Sequence, residues 1–127
     1  MNYGFSKTLS LPYEKAIEKV TEELKKEGFG VLTTIDIKDT LKKKIDADFK
    51  KYTILGACNP VLAHKALQKE EEVGLLLPCN VIVYEEGDGT VVSVFDPEAI
   101  TTVTGNDVLK TVADEAKKKL TRVLEAV

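Results

Sequence analysis

The sequence predicts an α+β fold: a single-layer, mostly antiparallel or mixed sheet of about five strands packed with three main helices. Two segments repeat apolar residues at three- and four-residue steps, one around Tyr13, Ala16, Ile17, Val20 and Leu24, the other from Leu109 to Leu124. Short runs between them alternate or concentrate apolar residues as strands do. The turn Glu86-Gly87-Asp88-Gly89 joins two late runs into a hairpin, which argues against a purely parallel doubly wound sheet.

The elements follow in order. Tyr3, Phe5, Leu9 and Leu11 share one parity, and Gly4, Ser6, Thr8 and Ser10 the other. This is strand alternation, interrupted by Lys7 on the apolar side. Pro12 suits the first position of a helix whose apolar stripe runs from Tyr13 to Leu24, and Gly28 stops it. Residues 30–37 read as a second strand, with Val31, Thr33, Ile35 and Ile37 on one face. Residues 39–44 form a short polar helical turn, with Leu41 and Ile45 as its apolar residues. Lys42, Lys43, Lys44, Lys50 and Lys51 make a basic cluster, read first as a solvated face and second as a contact for an anionic ligand.

Tyr52–Cys58 is apolar on both faces and belongs inside the sheet. Asn59 is a strong N-cap and Pro60 begins the next helix, which buries Leu62, Ala63, Ala66 and Leu67. Glu70, Glu71 and Glu72 oppose the dipole at its far end, so it stops near Lys69. Pro78 cuts the run Leu75-Leu76-Leu77 and cannot donate to a sheet ladder, which predicts an edge, bend or bulge. A strand resumes at Cys79, turns at Gly87 and returns over residues 90–95. Asp96-Pro97-Glu98 opens a short turn or helix, and Gly105-Asn106-Asp107 leads into the last long helix.

A chain of 127 residues reads as a single α+β domain spanning residues 1–127. A net charge of −3 argues against a general affinity for nucleic acid. No run approaches the roughly 18 apolar residues that span a bilayer, and no signal peptide is evident, so a cytoplasmic location is expected. In a reducing compartment the two cysteines are free thiols rather than a disulfide.

Those cysteines sit in matching settings, Cys58-Asn59-Pro60 and Pro78-Cys79-Asn80, and the one histidine, His64, follows the first. Cys58, Asn59, Cys79 and Asn80 are the candidate ligand-binding residues. Cys58, Cys79 and His64 are the candidate metal ligands, with zinc the cofactor to consider. Zinc prefers four ligands, so water, a carboxylate or a second subunit must complete the set. A redox or nucleophilic thiol is the enzymatic alternative. It lacks a Cys-x-x-Cys pair and an orienting partner for His64, so no residue is assigned a catalytic role. The plainest alternative makes both cysteines small buried hydrophobes, with Asn59 and Asn80 bonding nearby backbone. The thiols come level if two parallel strands start at Tyr52 and Val73, and separate to opposite sheet ends if the second strand starts at Cys79. No phosphate-binding glycine loop is present.

The string Ile54-Leu55-Gly56-Ala57-Cys58-Asn59-Pro60, then Ala63 and Ala66-Leu67, then Gly74-Leu75-Leu76-Leu77-Pro78-Cys79-Asn80-Val81, resembles the core signature of the domain of unknown function 302 family. The hairpin ending in Asp96-Pro97 and the helix carrying Val112-Ala113-Asp114-Glu115-Ala116 also fit. The resemblance implies a compact α+β domain, usually a homodimer, with no established activity. The sequence therefore points first to a binding module for a small ligand or soft metal at the paired Cys-Asn motifs. A thiol-dependent enzyme, or a homodimer whose surface is its function, are the alternatives.

Overall fold

A computed structural model describes residues 2–127. Five strands form one fully antiparallel sheet: β1 (Gly4–Leu9), β2 (Gly30–Asp36), β3 (Tyr52–Cys58), β4 (Cys79–Glu86) and β5 (Gly89–Phe95), in the order β1-β5-β4-β3-β2. The helices are α1 (Tyr13–Lys26), α2 (Ile37–Ile45), α3 (Pro60–Lys69), the short α4 (Glu98–Thr104) and α5 (Lys110–Ala126). The α+β class and the five strands agree with the sequence reading.

One sheet face is dry. Leu55 and Ala57 of β3, Val81 and Val83 of β4, and Val92 and Val94 of β5 pack beneath Ala16, Val20 and Leu24 of α1 and Leu120 and Val123 of α5. Burying this surface is the main stabilising term, at roughly 25 cal/mol per Å² of apolar area. Lys7 lies on this same face, yet it is not misplaced. Its ammonium donates to the main-chain oxygens of Leu124, Glu125 and Val127 at 3.4, 3.3 and 2.7 Å. The end of α5 concentrates unpaired carbonyls and partial negative charge, which a cation neutralises.

A second, smaller apolar cluster forms at one end of the sheet from Ala66, Val73, Ile100 and Leu109. It joins α3, α4 and the two 3-10 turns, Glu71–Leu76 and Asp107–Leu109. The first of these turns decides between the two strand starts, Val73 and Cys79, that the sequence left open. The run Leu75-Leu76-Leu77 is not strand; it ends the turn, and β4 begins only at Cys79, in the middle of the sheet. Pro78 stands just outside the ladder, so its missing N–H costs no sheet hydrogen bond.

β2 also departs from expectation. It is an edge strand with a bulge: Val31 pairs with Ala57 and Thr33 with Gly56, leaving Leu32 as the extra residue. The bulge reverses parity, so Val31 and Ile35 face opposite sides of the sheet. Ile37 belongs to α2 rather than to the strand, because the Asp36 carboxylate accepts from the Asp39 N–H at 3.0 Å and caps the helix there.

Candidate functional site

Three local structures converge where β3 ends. The first is the end of α1. Gly28 adopts φ +83°, its N–H reaches the Lys25 oxygen, and the Phe29 N–H reaches the Leu24 oxygen. This is the paired closing bond of a Schellman motif, and it turns Phe29 inward against Leu24 in the main core. The second is the start of α3. The Asn59 side-chain oxygen accepts from Leu62 N–H at 3.2 Å, capping the helix that Pro60 opens. The other half of the same amide donates to the Glu27 oxygen at 3.4 Å, tying α3 to the end of α1. The third is the start of β4, where Cys79 pairs with Ala57.

That register places the two cysteine corners at one end of the sheet, one residue out of step. Neither arrangement considered from the sequence describes it. β4 does start at Cys79, but the 3-10 turn returns the chain to the end where β3 stopped, so the strands run antiparallel and the thiols stay neighbours. Both are free; Cys58 is half-buried and Cys79 is buried. Burial pushes the Cys79 thiol up to about 11, and the neighbouring Cys58 adds to the effect.

Between the corners and the smaller apolar cluster lies a recess of about 340 Å³. Phe29, Leu32, Cys58 and Asn59 form one wall, with Pro78 and Cys79 beside them. Leu62, Ala63, Ala66 and Leu67 of α3 form a second. Pro97, Ile100 and Leu109 lead to Val112, Ala113 and Ala116 of α5, which close the third. The space arises because two separate clusters, not one, fill this end of the molecule, and because α5 presents alanines here rather than larger residues.

Of the four candidate ligand residues, Cys58, Asn59 and Cys79 line the recess. Asn80 does not; it is exposed and lies opposite Gly56 on the other sheet face. His64 is exposed on α3 and is not part of the recess wall. Among the described residues no group of three or more His, Cys, Asp or Glu side chains is placed to hold a metal ion. The lysine cluster is largely paired. Lys42 meets Asp46 and Asp48, Lys43 meets Asp39, Lys51 meets Glu14, and the Lys50 ammonium sits 4.5 Å from the centre of the Tyr84 ring.

The walls given by Phe29, Ile100, Leu109, Ala113 and Ala116 were not legible as site residues. They are apolar, distant in sequence, and indistinguishable from core. The one usable signal was Ala113 and Ala116 on the apolar stripe of the last helix, where small side chains leave room beneath a turn.

No match was found among curated proteins. A crystal structure of an uncharacterized conserved protein DUF302 from Bacillus stearothermophilus is similar, with a TM-score of 0.92 and 31% identity over 99% of this chain and 98% of that one. The family model described as domain of unknown function DUF302 matches residues 5–127, and the chain belongs to that family.

Proposed function

We propose that the protein is a binding module that holds a small molecule in the recess between its two cysteine corners, in a reducing compartment such as the cytoplasm. The recess itself carries this reading. Its volume of about 340 Å³ falls in the range of small-molecule sites, and its wall comes from five separate parts of the chain. An organic ligand is favoured over zinc, because Cys58 and Cys79 supply only two of the four ligands that zinc takes. The test is titration of the wild type and of Ala63→Phe with a neutral solvatochromic dye. Ala63 is half-buried on α3 and lines the recess, so a phenyl ring there fills the space without breaching the main core. The variant is expected to lose at least about tenfold in dye affinity. Equal affinity in the two proteins rejects the recess as the site.

A homodimer is the second reading, favoured by the sheet face that α1 and α5 leave uncovered. Ile35, Ile54 and Ile82 run in one row across β2, β3 and β4 there, and Tyr52 and Tyr84 stack at 5.3 Å in the next. Ile35 remains 43% exposed at the edge of this row. Sedimentation equilibrium is expected to show a dimer that Ile35→Glu weakens, since a carboxylate buried in an apolar interface is costly. A monomer at all concentrations, or a dimer indifferent to Ile35→Glu, removes this face from consideration.

A further inference from the structure

We infer that the occupant of the recess is a neutral, apolar molecule, and that Leu32, the extra residue of the β2 bulge, selects it at the mouth. The inference rests on the small-molecule reading above and names its ligand class.

Size comes first. A recess of about 340 Å³ lies at the lower end of the range of small-molecule sites, so the ligand is a small organic molecule. Polarity comes next. Among the described residues no charged side chain lines the wall, and Asn59 carries its one side-chain amide. Both halves of that amide are engaged, with Leu62 N–H and with the Glu27 oxygen. The start of α3 offers little to an anion, because Leu62 N–H bonds the Asn59 side chain and Ala63 N–H bonds the Asn59 main-chain oxygen at 2.9 Å. Pro60 has no N–H to give. A charged group placed here would lose its hydration and meet no charged side chain in return. Cys79 suits the same ligand: burial holds its thiol in the neutral, weakly polar form.

Leu32 supplies the selectivity. A bulge re-aims the side chain of its extra residue, and here that side chain reaches the recess while remaining 68% exposed. Leu67 of α3 lines the wall as well and is 39% exposed. Two leucines left in water at the rim of an apolar space are covered when an apolar ligand enters, and their burial then favours the complex.

The test uses three probes of one shape, followed by NMR on the amides and methyls of Ala63, Ala113 and Leu32. They are 2-methylnaphthalene, 2-naphthoate and 2-naphthylmethylammonium. The neutral probe is expected to shift these signals saturably, and both charged probes to bind at least about tenfold more weakly. Leu32→Ser is expected to weaken the neutral probe about tenfold, the scale of partly burying one leucine, with the melting temperature unchanged. A charged probe that binds the same residues as tightly overturns the ligand class while leaving a small-molecule site. Failure of all three probes to move these residues overturns the site reading too. Unchanged affinity in Leu32→Ser overturns the role given to that residue.

Discussion

Replacing Gly56 with alanine is expected to destabilise the fold by about 1–3 kcal/mol, the usual cost of forcing atoms into a filled space. A Cβ at Gly56 collides with the Thr33 hydroxyl oxygen and comes within 3.0 Å of Pro78 Cγ. Relief requires Thr33 to change rotamer, and that leaves the contact with Pro78 in place. Pro78 is a rigid ring beside Cys79 and forms part of the recess wall. The strain therefore spreads to the site as well as to the β2–β3 pairing. Chemical denaturation measures the first effect, and loss of dye affinity in the folded variant measures the second. A variant as stable as wild type, with unaltered affinity, contradicts this account of Gly56.

Cys79 is expected to resist alkylation by a very large factor relative to an ordinary thiol. Raising its pKa from 9.0 to about 11 leaves roughly a hundredfold less thiolate at neutral pH, and only thiolate attacks. Exposure of 7% then limits access to what remains. Timed labelling with iodoacetamide at pH 8, read by mass spectrometry of the two cysteine peptides, checks this. Rapid labelling of Cys79 in the folded protein would revive the thiol-enzyme reading. The same group sets a pH limit. Its folded pKa lies above its unfolded one, so stability is unaffected below pH 9 and falls as pH rises from there towards 11.

Local chemistry made much of the fold readable in the sequence. Asn59-Pro60, the Tyr52–Cys58 run and the glycine turn of the hairpin each specify their structure within a few residues, and each forms as expected. The misreadings have one physical origin. At Leu75-Leu76-Leu77 the side chains are apolar enough for a strand, at Leu32 the alternation is regular enough for an unbroken one, and only contacts with distant elements decide otherwise. The 3-10 turn is held by Val73 in the cluster with Ile100 and Leu109, and no pattern inside residues 70–78 announces those partners. The candidate site was half legible for the same reason. Cysteine and asparagine attract notice by their chemistry, whereas the alanines and leucines that give the recess its volume do so only by position. His64 and Asn80 attracted notice by chemistry alone, and backbone direction turned both away.

The bulge at Leu32 bears on self-association through the sheet edge. β2 leaves one side of its backbone unpaired, and a long flat edge of that kind templates fibril growth. An extra residue breaks the spacing of N–H and C=O groups and adds local twist, so an incoming strand cannot keep register past Val31. Excising Leu32 to regularise the ladder would remove that safeguard, and the shortened protein should form thioflavin-positive aggregates sooner than the parent.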